Sequence, residues 1–125
     1  MSRDAIITDR LGDAPGPFSP GVRAGDLVFL SGQIGSDPVT GALVEGGVAA
    51  QTEQALQNVA IALEAAGRTL DDVVRVGVYL ADMGNFEAMN QVYARHFAQP
   101  YPARTTIGVA ALPLGAAVEI DLVAR

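Results

Sequence analysis

A chain of 125 residues, half of them hydrophobic and 18% charged, can build one folded domain with its own core and is not a disordered protein. Its net charge is −6 and all eight basic residues are arginines scattered from Arg3 to Arg125, so nothing resembles the positive cluster that holds a phosphate backbone. Cysteine and lysine are absent and His96 is the single histidine, which excludes disulfides, thiolate chemistry, a Schiff-base lysine and a His-rich metal site.

In chain order, the N-terminal stretch "MSRDAIITDR" lacks the apolar centre of a signal peptide. The longest apolar run, "DLVFLSGQI", is far too short to span a bilayer. A cytoplasmic location without membrane attachment is the expectation. Ile6 and Ile7 predict a short first strand, and "GDAPGPFSPG" predicts a loop. A strand follows from about Leu27 to Ile34, with Leu27 and Phe29 on one face and Val28, Leu30 and Ile34 on the other. After the turn-rich "SDPVTGALVEGG", apolar residues recur at three- and four-residue steps from Val48 to Ala66, which predicts an amphipathic helix stopped by Gly67.

"DDVVRVGVYLAD" predicts a strand with Val74, Val76, Val78 and Leu80 on one face. Asn85 is placed to cap a second helix, "FEAMNQVYARHF", with Phe86, Met89, Tyr93 and Phe97 on one stripe. "RTTIGV" and "AAVEIDLVA" predict a last pair of strands. The order β-β-α-β-α-β-β describes one α+β domain over residues 1–125, with two helices covering one face of a sheet. Phe29, Val73, Tyr79 and Val123 make the other face apolar, and a second copy of the chain is its simplest cover.

Alternation in "AAVEIDLVA" sends Glu119, Asp121 and Val123 to that second face. A carboxylate there needs a partner, and Arg104, on the other strand of the predicted pair, is the candidate. An Arg–Glu bridge that only fixes assembly competes with a catalytic role. Ser31-Gly32-Gln33 interrupts an apolar strand and marks either a tolerated glycine or a close approach of a ligand to the backbone. Tyr93 reads as core with its hydroxyl reaching a polar neighbour, Asn90 as ambiguous, and His96 as a structural residue at a helix end.

The segments "GPFSP", "GDLVFLSGQI", "LEAAGRTLDDVVRVGVYLADMGNFEAMNQVYARHF", "PARTTIGV" and "VEIDLVA", in this order, resemble the RidA (YjgF) family of imine-hydrolysing proteins from about Ile6 to Ala124. Pro-Ala-Arg followed by Val-Glu-Ile is the most specific part. The resemblance implies a chorismate-mutase-like α+β fold, a homotrimer and a site at each subunit interface. It implies hydrolysis of 2-imino or enamine acids to 2-oxo acids and ammonia, with no metal or organic cofactor.

Transfer by motif makes Arg104 the carboxylate-binding arginine and Glu119 the acid/base that handles the water, with Phe18, Ser31, Gly32, Asn90 and Thr106 lining the site. The planar guanidinium fork suits a carboxylate, and one carboxylate side chain suffices to shuttle protons at an already electrophilic C=N carbon. Phe18 and Thr106 stand where many relatives carry tyrosine and cysteine. A trimeric small-carboxylate-binding or protein-interaction protein is the non-catalytic alternative. A ribonuclease or translation inhibitor is a second, which the acidic charge and missing lysines oppose.

Overall fold

The computed structural model describes residues 3–12 and 16–125. Its elements are β1 (Asp4–Ile6), β2 (Gly21–Ala24), β3 (Leu27–Ile34), α1 (Gly47–Ala65), β4 (Val73–Leu80), α2 (Phe86–Tyr93), β5 (Ala103–Gly108) and β6 (Val118–Ala124). They form one mixed six-stranded sheet in the order β1-β2-β3-β6-β4-β5.

The sequence expectation lacked β2. "VRAGDLVF" closes a tight hairpin in which Ala24 pairs with Leu27. Gly25 takes the positive φ of 61° that a two-residue hairpin loop demands at its first position. Four residues beside a Gly- and Pro-rich loop give too little alternation to announce a strand, although the Gly-Asp pair is a hairpin signal.

The predicted final strand pair is also corrected. β5 lies parallel to β4 at the edge, whereas β6 lies between β3 and β4 and runs antiparallel to both. β4-α2-β5 is thus a parallel crossover unit, and β3-α1-β4 is a second one split by β6. Crossovers of the same hand put both helices on the same side of the sheet.

Between sheet and helices lie Val28 and Leu30 of β3, Val76, Val78 and Leu80 of β4, and Val118, Ile120 and Leu122 of β6. Ala55, Leu56, Val59, Ala62 and Leu63 of α1 and Met89 and Tyr93 of α2 complete this core. β6 alternates strictly between buried and half-buried positions, as a central strand with one covered face must. In β4 the register shifts between Val73 and Arg75, so Val73 is buried and Val74 is exposed, the reverse of the sequence expectation.

α1 ends as predicted. Gly67 has φ 74°, its N–H reaches the Glu64 carbonyl, and the Arg68 N–H reaches Leu63, a Schellman closure. Asn85 gives no side-chain cap to α2. The Asp82 carboxylate instead accepts from the Gly84 N–H and shapes the 3-10 turn Met83–Asn85 that leads into the helix. α2 itself stops at Tyr93, short of the predicted Phe97, although Phe97 still packs in the core.

Candidate active site

Arg104 pairs with Val76 of β4, and Thr106 pairs with Val78. Paired residues share a face, and both valines are fully buried beneath the helices, so Arg104 and Thr106 belong to the helix side of the edge strand. There the guanidinium carbon lies 4.6 Å from the centre of the Tyr93 ring and 5.7 Å from that of Phe86. Asn90 precedes Tyr93 by three residues on α2 and so points the same way. The Asn90 Oδ1, the Tyr93 hydroxyl and the Thr106 hydroxyl are all buried without a hydrogen-bond partner among the described residues. Burial pushes the Tyr93 phenol up, with the Arg104 charge opposing. Three polar groups around Arg104 thus keep hydrogen-bonding capacity that the described residues do not satisfy.

Glu119 lies on the opposite, open face, paired with Ile34 of β3 and Tyr79 of β4. A side chain at Gly32 would run into the Glu119 carboxylate. What approaches the Gly32 backbone within the chain is therefore Glu119, and the glycine makes room for it. Beside it the Tyr79 hydroxyl donates to Asp121 at 2.9 Å, across a space that a side chain at Gly77 would fill. Burial raises the Glu119 pKa, and the Asp121 charge adds to the rise. The ion pairs of the described residues do not include Glu119.

Next to Gly32, the Ser31 hydroxyl donates to the Ser19 carbonyl at 2.6 Å and the Ser31 N–H donates to Pro20 at 2.9 Å. These bonds hold the Phe18 segment against β3. Phe18, 52% exposed, and Ser31 line a groove of about 480 Å³ with Arg3, Val22 and Phe29.

The expected site residues thus fall into two groups. Arg104, Thr106 and Asn90 stand under α2, while Glu119, Gly32, Ser31 and Phe18 stand across the end of β3. Arg104 and Glu119 are not on neighbouring strands: β4 separates them, about 10 Å at ordinary strand spacing, and they face opposite sides of the sheet. An Arg104–Glu119 bridge within one chain is excluded. Strands consecutive in sequence do not pair here: parallel β4–β5 pairing leaves β6 to enter the middle of the sheet.

Two supporting residues escaped the sequence reading. The Asn58 amide, fully buried on α1, donates to the Ile34 carbonyl at 3.2 Å and to Ser36 at 2.9 Å, and its oxygen accepts from Gln54. Gln51 accepts from the Ala117 N–H at 2.8 Å. Together they tie α1 to the end of β3 and the start of β6, the segments that carry Gly32 and Glu119. Their signal was a pair of polar residues flanking an otherwise apolar helix stripe. His96 bonds to Glu53 of α1 at 2.8 Å, consistent with its structural reading. Among the described residues no group of three or more His, Cys, Asp or Glu side chains is placed to hold a metal ion.

The family model described as endoribonuclease L-PSP matches residues 8–125. This chain belongs to the RidA/YjgF family. It is 43% identical over 124 residues to human 2-iminobutanoate/2-iminopropanoate deaminase, covering 99% of this chain and 90% of that one. The crystal structure of RidA from an Antarctic Psychrobacter shares 43% identity and superposes with a TM-score of 0.93 over 98% of this chain and 99% of that one. Escherichia coli TdcF, solved with bound serine, shares 36% identity, a TM-score of 0.90 and 97% coverage of both chains. A Pyrococcus horikoshii relative, also 43% identical over 98% of this chain and 97% of its own, is named only as a RutC family protein. The mixed sheet with two helices on one face is the fold of these RidA/YjgF relatives.

Proposed function

We propose that this RidA-family protein is a hydrolytic deaminase of 2-imino and enamine acids, acting as a homotrimer with a site at each subunit interface. The observation that carries the reading is the division of the site. One chain holds an arginine with unsatisfied polar neighbours on one side of its sheet and a proton-hungry carboxylate on the other. A shared site requires the Arg104 cluster of one copy to meet the Glu119 cluster of the next. The open face offers the surface for it: Phe29 and Ile107 are 40% and 44% exposed there. Relatives named as imine deaminases at 43% identity support the reaction class.

Arg104 holds the substrate carboxylate through paired N–H donors. Glu119 takes a proton from water as its oxygen adds to the C=N carbon, and returns a proton to the nitrogen. Collapse of the resulting carbinolamine expels ammonia and leaves the 2-oxo acid. The imine carbon is intrinsically electrophilic, so orientation and one proton carrier suffice. The cytoplasm, where amino-acid dehydratases release such imines, is the proposed setting.

The test couples a threonine or serine dehydratase to the protein and follows imine decay in competition with semicarbazide, on variants first shown to keep the parent's assembly. Arg104→Ala should weaken 2-oxobutanoate binding at least tenfold, on the scale of ~1.5–3 kcal/mol for charged hydrogen bonds, and Arg104→Lys should restore little of it. Glu119→Gln should lower turnover ~10²-fold or more while 2-oxobutanoate still binds. Parent-rate hydrolysis by Glu119→Gln would overturn the mechanism.

A further inference from the structure

Among the described residues, Arg104 is held differently from the other arginines with polar partners. Arg10, Arg23 and Arg125 meet carboxylates, Arg75 donates to the Thr105 hydroxyl, and Arg68 donates to backbone carbonyls. Arg104 enters none of these ion pairs and lies over two aromatic rings. The nearer ring, Tyr93, is buried and stacks on Phe97 with centroids 4.5 Å apart and planes inclined by 28°. Such a ring cannot swing away. The other, Phe86, is 38% exposed at the first turn of α2 and contributes little to the core. Contact with ring faces attracts the cation without using its N–H groups, whereas a carboxylate partner would occupy the fork that an anionic ligand needs.

We infer that Tyr93 and Phe86 are positioning residues for Arg104: an aromatic rest that fixes the guanidinium and leaves its N–H fork for the substrate carboxylate. This rests on the deaminase reading above, since it assigns how the carboxylate-binding arginine of that site is held. This role belongs to the ring of Tyr93, apart from whatever its hydroxyl contributes to the polar cluster. Free arginine side chains lose substantial rotamer entropy on binding, and a rest that fixes the group beforehand lowers that cost to the ligand.

The full chain carrying Tyr93→Phe, Tyr93→Leu, Phe86→Leu or Arg104→Ala tests this through the Kd of 2-oxobutanoate by calorimetry, the kcat and KM of imine hydrolysis, and Tm. Tyr93→Phe keeps the ring and should lose less affinity than Tyr93→Leu. Tyr93→Leu should bind ~3–30-fold more weakly, the span of a cation–π contact, with KM rising by more than kcat falls. Phe86→Leu should weaken binding ~2–10-fold with little change in Tm. A merely structural Tyr93 would move Tm and leave the Kd of the folded protein unchanged.

Parent-like affinity in Phe86→Leu overturns the inference, and it does so even if Tyr93→Leu fails to fold. Equal losses in Tyr93→Phe and Tyr93→Leu overturn it as well, by assigning the effect to the hydroxyl. Parent-like affinity in Arg104→Ala removes the deaminase reading together with the inference. A loss in Arg104→Ala without one in Phe86→Leu removes the positioning role alone.

Discussion

Burial and the neighbouring Asp121 both favour the protonated form of Glu119, so its proton leaves at a higher pH than the ordinary glutamate value of 4.5. A carboxylate acting as base must be ionised. Activity should then be lost as pH falls through this raised pKa. The pH profile of kcat reports it best, because under the proposed mechanism the bound substrate carboxylate would then offset the Arg104 charge. Its acid limb should have a midpoint above 4.5 and be absent from the residual activity of Glu119→Gln. A limb that persists in that variant belongs to another group. Gly32 allows a sharper test of placement. An alanine methyl there meets mainly the mobile end of Glu119, so the carboxylate yields while the backbone stays. Gly32→Ala should lower kcat by about tenfold to a hundredfold, as misplacement by about 1 Å does, with Tm shifted by only a few degrees. A large fall in Tm with parent-like kcat would show that Gly32 serves the strand and not the carboxylate.

Between elements, the amide of Asn58 joins α1 to the end of β3 through two carbonyls that otherwise lack this donor. Asn58→Ala removes this donor from both at a position that is itself buried. It should reduce unfolding stability by about 1–3 kcal/mol, measured by urea denaturation with an unchanged m-value. A loss within a few tenths of a kcal/mol would mean that water replaces the amide. The two long elements of the α1 crossover were readable because their patterns are strong: a run from Leu27 to Ile34 bounded by turns, and a helix stripe closed by Gly67. β2 and the register shift at Val74 were not. Four residues hold too little periodicity, and a bulge changes facing without changing composition.

At the scale of the molecule, the divided site and the open sheet face both call for association. Light scattering after gel filtration should give about three times the chain mass of 12.9 kDa. A monomer at micromolar concentration would separate Arg104 from Glu119 for good and remove the deaminase reading. The acidic chain without lysine offers little to a polyanion, whatever the name of its family model. Purified protein should leave RNA intact. RNA cleavage that follows the protein through several columns and disappears in Arg104→Ala would reverse that conclusion.

The sequence alone determined the residue types available for chemistry, the α+β order of the long elements, and the family, through Pro-Ala-Arg and Val-Glu-Ile near the C-terminus. These are local properties: composition, periodicity and short motifs survive without knowledge of what packs where. It also put Glu119 on the face away from the helices, because alternation along one strand is local too. Strand order was decided only by the tertiary structure. β6 enters between β3 and β4 because the α2 crossover delivers β5 to β4 in parallel, and no feature within "VEIDLVA" encodes that neighbour. Two residues set only fifteen positions apart, Arg104 and Glu119, end on opposite faces of the sheet, so the pairing within one chain that their strands suggested does not form.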